Sequence, residues 1–244
     1  MNYTMMTNET DTYETDANEI DTNGTNANLI EVKNLSISYG GYKVLQDFSL
    51  TIKPGEAVLI QGPSGCGKST LLHAICGLIP SVIEAECTGE VLVYGNPIQN
   101  LTTSQRAALL GIVFQNPDTQ IFCDTVEDEI AFGLENLCLP KEEMARRIDQ
   151  MLKLTDMEKY RLASPKELSG GQKQRVVLAA VMALDPKILL LDEALAQLDQ
   201  SGKEVLRNQF QILRNEGRTM LMVDHDNDLI SIASRVVKVE NIYV

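Results

Sequence analysis

Gly62-Pro63-Ser64-Gly65-Cys66-Gly67-Lys68-Ser69-Thr70 follows closely on the apolar run Ala57-Val58-Leu59-Ile60. Four apolar residues between a Pro54-Gly55 turn and a glycine-rich loop read as a strand buried on both faces. The loop itself fits G-x-x-x-x-G-K-[ST], and a helix is expected after it. Glycines at these positions let backbone N–H groups turn inward around phosphates. A helix starting near Lys68 points the positive end of its dipole at the same place. In such a loop Lys68 reaches the β- and γ-phosphates of a nucleotide and the Ser69 hydroxyl ligates Mg²⁺. Residues 62–70 therefore predict a site for Mg²⁺–ATP.

Two further segments carry chemistry. Ile188-Leu189-Leu190-Leu191-Asp192-Glu193 is an apolar strand ending in two acids. Beside a phosphate loop this is a Walker-B arrangement, with Asp192 on the metal and Glu193 placed to polarise an attacking water. Without that loop, the pair would read equally as a solvated acidic strand end. Leu168-Ser169-Gly170-Gly171-Gln172 contains a capping box, Ser169-x-x-Gln172, and its glycines leave the backbone uncovered at a helix N-terminus. One phosphate loop needs no second anion site of its own, so this turn suits the nucleotide of another subunit. Read alone, it is a well-capped helix start.

Around these segments the pattern alternates between periods. Leu35, Ile37 and Tyr39, then Phe48, Leu50 and Ile52, alternate with polar residues and predict half-buried antiparallel strands. Gly111 to Phe114, Ile188 to Leu191 and Thr219 to Val223 read as further strands. Residues 125–182 are mostly helical in pattern, with Met144, Ile148, Met151 and Leu152 on one amphipathic face. Ser201-x-x-Glu204 reads as a capping box opening another helix. Strands alternating with helices predict an α/β fold with a parallel sheet, into which the helical block is inserted.

Bulk properties narrow the function. The 244 residues carry a formal net charge of −13 and are 44% hydrophobic. This acidity argues against a nucleic-acid partner and against a direct hold on anionic lipid. The longest apolar run, Val176 to Leu184, is nine residues, well short of the ~20 a spanning helix needs. No secretory signal is visible. Five cysteines without a C-x-x-C pair, and two histidines, predict reduced thiols and no structural zinc. Residues 1–28 lack Lys and Arg and repeat Glu9-Thr10-Asp11, Glu14-Thr15-Asp16, Glu19-Ile20-Asp21, as a disordered acidic low-complexity tail does. The rest carries 28 acids against 21 bases.

The glycine loop, LSGGQ and LLLDE, in this order and spacing, resemble the ATP-binding-cassette (ABC) ATPases over about residues 29–232. The resemblance implies a P-loop NTPase (RecA-like) fold over residues 29–244, with an N-terminal antiparallel β-subdomain and an inserted helical subdomain at about 116–180. It implies ATP hydrolysis with Mg²⁺ and two cassettes, identical or different, paired head to tail. It also implies integral membrane transporter subunits as partners, and so a peripheral place on the cytoplasmic face of the membrane. Carried over by position, Tyr39 matches the adenine-stacking aromatic, Gln115 the glutamine that senses Mg²⁺ and the γ-phosphate, Asp199 the D-loop aspartate and His225 the switch histidine. Alone, Tyr39 would read equally as a core tyrosine and His225 as a surface histidine. The segments Gln115 to Phe122 and Thr125 to Asn136 are similar to the ATPases of energy-coupling-factor importers of vitamins and metal ions.

Three departures stand out. Ala194-Leu195 replaces the usual Pro-Thr, which implies a less rigid loop after Glu193. Asp224 precedes His225 where Thr is common. The chain ends 19 residues after His225, short of the extension usual in the energy-coupling-factor group. Ala194 and Asp224 leave open a non-hydrolysing binding subunit, and the short C-terminus leaves open the ATPase of another ABC transporter type or pairing through the cassette alone. The rival outside transport, a soluble ABC protein, commonly has two cassettes, long coiled coils or basic surfaces, which this sequence lacks. His73 reads as packing or surface. Cys66 reads as a small residue filling a tight turn, with a reactive thiolate beside Lys68 as the sharper alternative.

Overall fold

In the computed structural model, residues 28–239 are described, apart from 197 and 226. The acidic tail lies outside them except for Asn28. The elements run β1 (Ile30–Tyr39), β2 (Tyr42–Ile52), β3 (Ala57–Gln61), α1 (Lys68–Ile75), β4 (Glu86–Val93), β5 (Asn96–Pro97), α2 (Thr103–Leu109), β6 (Leu110–Val113), α3 (Val126–Asn136), α4 (Lys141–Leu154), α5 (Gly170–Ala183), β7 (Ile188–Asp192), α6 (Gln200–Asn215), β8 (Thr219–Asp224) and β9 (Arg235–Lys238).

They form two sheets, an antiparallel one in the order β2-β1-β4-β5 and another in the order β6-β7-β8-β3-β9. The pairs within the second sheet are parallel. This is the α/β architecture expected. Period-2 alternation in the parallel strands divides the interior in two. Leu59, Leu189, Leu191, Met220 and Met222 face the core shared with α3, α4, α5 and α6. Val58, Ile60, Ile188, Leu190, Leu221 and Val223 face the core shared with α1 and the antiparallel sheet. Each of these side chains is at most 3% exposed, and full burial of one such residue contributes about 1.5–3 kcal/mol. The apolar run Val176 to Leu184 is explained by α5, which packs on α3, α4 and β6. No helix among the described residues is long and apolar enough to cross a membrane.

One expected boundary is corrected. Helix α6 is not opened by Ser201-x-x-Glu204. Its N-cap is Asp199, whose carboxylate accepts from Gly202 N–H at 2.8 Å. A carboxylate at the cap satisfies an orphan donor and meets the positive end of the dipole together, so the earlier cap wins.

Parallel strands present their C-terminal ends along one edge, where ligands bind in open α/β sheets. Here that edge carries, in order, the segments following β6, β7, β8 and β3. They begin with Phe114-Gln115, Glu193, His225 and Gly62. Neighbouring strands lie ~4.8 Å apart, so side chains from all four can meet.

Candidate active site

The glycine loop arches out of β3 and returns into α1. Pro63, Ser64 and Gly65 are exposed, and Cys66, Gly67 and Lys68 are buried. Two glycines are required by close approach. A Cβ on Gly62 would lie 2.4 Å from the Val239 carbonyl, and one on Gly67 2.6 Å from the Val44 carbonyl. Gly67 is also left-handed, at φ 91°, and caps α1 without a side-chain hydrogen bond. The first N–H groups of α1 thus have no competing side-chain cap, the arrangement that favours an anion. The Lys68 ammonium folds back over the loop. It donates to the Gly62 and Pro63 carbonyls, both at 2.8 Å, and lies 3.8 Å from Cys66 Sγ. Cys66 is only 1% exposed, in keeping with the space-filling reading.

Ser69 and Asp192 meet directly, the hydroxyl donating to Asp192 Oδ1 at 2.9 Å. Burial pushes the Asp192 carboxyl up, opposed by the Ser69 hydrogen bond and by the nearby His73. A hydroxyl and one carboxylate are hard oxygen donors. They suit Mg²⁺, which binds through one or two carboxylates, water and substrate phosphates. Among the described residues no cluster of three or more His, Cys, Asp or Glu forms a metal cage.

Glu193 is the centre of a second group. Its backbone is left-handed at φ 46°, and its N–H donates to the Val223 carbonyl at 2.9 Å. A non-glycine residue in this region costs about 1–3 kcal/mol and is held there by its surroundings. Gln115 Nε2 donates to Glu193 Oε2 at 2.9 Å, and His225 Nδ1 stands 3.4 Å from Glu193 Oε1. Asp224, 3% exposed, contributes an oxygen 3.8 Å from the same imidazole nitrogen. Ala194 and Leu195, which stand in this turn, are buried at 2% and 1%.

Lys68, Ser69, Asp192, Glu193, Gln115 and His225 are therefore gathered at one edge of the sheet. The other expected residues belong to different turns. Thr70, half-buried, continues α1. Tyr39 ends β1 opposite Tyr42, partly buried against the antiparallel-sheet core, while Val44 of the same hairpin abuts Gly67. Ser169 and Gln172 close the expected box. Gln172 N–H donates to Ser169 Oγ at 3.3 Å and Ser169 N–H to Gln172 Oε1 at 2.8 Å. Asp199 caps α6.

Sequence reading missed a polar group around Phe114. Gln120 Oε1 accepts from Phe114 N–H at 2.7 Å, and Gln174 Nε2 donates to the Phe114 carbonyl at 3.0 Å. His73, half-buried, meets the Phe114 ring edge-on with centroids 5.7 Å apart, a packing contact. The available signal was Gln174 itself, a polar residue two positions before the apolar run of α5. Near this group a groove of about 440 Å³ runs between α2, α3 and α5. Phe122 and Phe132 line it edge-to-face at 4.6 Å and are 63% and 44% exposed.

Comparison with known proteins agrees with this fold. The ABC transporter family model matches residues 45–196. The chain belongs to the ABC transporter ATP-binding family. It is 41% identical over 217 residues to an energy-coupling factor transporter ATP-binding protein of Ligilactobacillus salivarius, covering 88% of this chain and 75% of that one. An ABC transporter ATP-binding protein of Methanosarcina acetivorans is 42% identical over 86% of this chain, but the match spans only 33% of that protein. The chain thus spans about a third of the length of its Methanosarcina relatives. Among solved structures, cbiO1 from Clostridium perfringens, part of the ABC transporter complex cbiONQ, superposes with a TM-score of 0.76. It is 32% identical and covers 87% of this chain and 84% of its own.

Proposed function

We propose that this chain is the ATP-hydrolysing subunit of an energy-coupling-factor-type importer of a vitamin or metal ion. It works as one of two cassettes on the cytoplasmic face of a membrane. The observation that carries the reading is Glu193, gripped by Gln115 and facing His225, beside the Ser69–Asp192 pair.

Each residue has a part. The Lys68 ammonium exchanges loop carbonyls for phosphate oxygens. Ser69 and Asp192 would hold Mg²⁺, with Gln115 as a further oxygen donor. Bound Mg²⁺–ATP supplies the electrophilic phosphorus and the charge neutralisation. Glu193 takes the proton from water as the water oxygen bonds to the γ-phosphorus and the bond to the bridging oxygen breaks, with ADP as leaving group; Gln115 holds that carboxylate in place, and His225 faces the γ-phosphate. Tyr39 stacks on the base. Ser169, Gly170, Gly171 and Gln172 close over the nucleotide of the second cassette, and Asp199 lies at the junction between the two. The aromatic groove beside the Gln115 segment suits an apolar segment of a membrane partner. The relatives named for energy-coupling factor transport and for the cbiONQ complex support the importer class.

Glu193→Gln tests the reading. Turnover should fall by about 10²–10⁴ with ATP binding retained, since a positioned base is worth that much in rate. Hydrolysis by that variant at the wild-type rate would remove Glu193 from the chemistry.

A further inference from the structure

Gln115 can hold Glu193 only if its own backbone is held, and the sheet does not hold it. Strand β6 stops at Val113 and lies at the edge of the parallel sheet, so Phe114 has left the ladder. Side chains take over. Gln120 bridges two backbone groups at this point, accepting from Phe114 N–H and donating to the Ile112 carbonyl at 3.0 Å. On the other side the Phe114 carbonyl accepts from Gln174.

Gln174 is 2% exposed, one of few buried polar side chains among the described residues, and two of the others are Lys68 and Asp192. A buried amide is costly unless bonded, and an apolar residue would pack more favourably at this place in α5. Its position in the chain adds a second fact. Gln174 lies two residues after Gln172, within one turn of the Ser169–Gln172 cap on the same helix. Lys173, between them, pairs with Asp118 at 2.6 Å, but Asp118 is 64% exposed and that tie is screened by solvent. The buried tie is Gln174.

We propose that Gln174 is a positioning residue: through the Phe114 peptide it couples the signature turn at the start of α5 to Gln115, and so to the Glu193 carboxylate. The inference rests on the reading of Glu193 as the hydrolytic base and of Ser169–Gln172 as the cover of the partner's nucleotide. Its consequence is cross-talk. When one cassette's turn seats on its partner's nucleotide, the same helix aligns the first cassette's own base.

The test is steady-state ATP hydrolysis by the assembled pair of cassettes, with this chain carrying Gln174→Met, Gln115→Ala or both, with Glu193→Gln as control and thermal midpoints for each. Gln174→Met should lower kcat about tenfold or more, because misplacement by ~1 Å can cost up to ~10²-fold. KM for ATP should not change. In the Gln115→Ala background, Gln174→Met should lower kcat no further. Wild-type kcat in Gln174→Met overturns the proposal, as does a double variant that multiplies the two single losses. Should Gln174→Met fail to fold, Gln120→Met releases Phe114 at the peptide on its other side and must show the same non-additivity. A dead Glu193→Gln with an unaffected Gln174→Met sinks this inference alone, whereas a fully active Glu193→Gln sinks the site assignment beneath it.

Discussion

Helices α1 and α5 both begin at glycines, and they begin in opposite ways. Helix α1 has a left-handed glycine cap and no side-chain hydrogen bond, so its N-terminal donors have no competing side-chain acceptor. Helix α5 is closed by its own Ser169 and Gln172. The first end leaves its donors to water or to a ligand, whereas at the second the cap itself takes the N–H groups of Ser169 and Gln172 and leaves the glycines to an outside acceptor. The Ser169 hydroxyl still has a proton to give after accepting from Gln172. On the proposed function the contrast is that of a resident phosphate site and a visiting one. It is why the account assigns ATP to the Gly62–Thr70 loop of this chain and only the cover to residues 169–172.

The contrast can be broken from either side. The larger effect is expected at α1. Gly67→Ala forces a Cβ against the Val44 carbonyl at φ 91°. The left-handed backbone costs about 1–2 kcal/mol and overpacking another 1–3. Thermal or urea unfolding should show that loss, and titration of the isolated chain should show ATP binding gone. Undiminished binding would mean the open end is not the phosphate site. The smaller effect is expected at α5. Ser169→Ala removes the cap acceptor and should cost about 1 kcal/mol of stability. ATP affinity of the isolated chain should not change. A fall in that affinity would place the turn in its own chain's site and erase the distinction.

Much of this was legible in the sequence because the informative signals are local. The glycine loop, the LLLDE strand end and the Ser169-x-x-Gln172 box each occupy a few consecutive residues, and the structure places each on the element expected. Local signals also compete. Ser201-x-x-Glu204 and Asp199 both resemble helix starts, and only the cap geometry decides between them. Strands β4 and β9 were not anticipated. Their exposed and half-buried positions, such as Glu86 to Glu90 and Arg235 to Lys238, lack a run of apolar residues and depend on pairing with distant strands. The grip on Phe114 was invisible for a related reason. Gln120 and Gln174 meet the backbone of one residue, Phe114, from segments 54 residues apart in sequence, and nothing local announces that.

The central claim is that the chain carries one wall of an ATP site and lends the other to a partner. Gly170→Asp tests it most directly. Gly170 is the exposed first residue of α5, where a carboxylate suits the helix dipole yet repels phosphate. Two quantities are measured, ATP affinity of the isolated chain and hydrolysis by the assembled pair. The account predicts unchanged affinity, with hydrolysis down about 10²-fold, the scale of losing one electrostatic contact to a transition state. Hydrolysis at the wild-type rate, or lost affinity in the isolated chain, would contradict it.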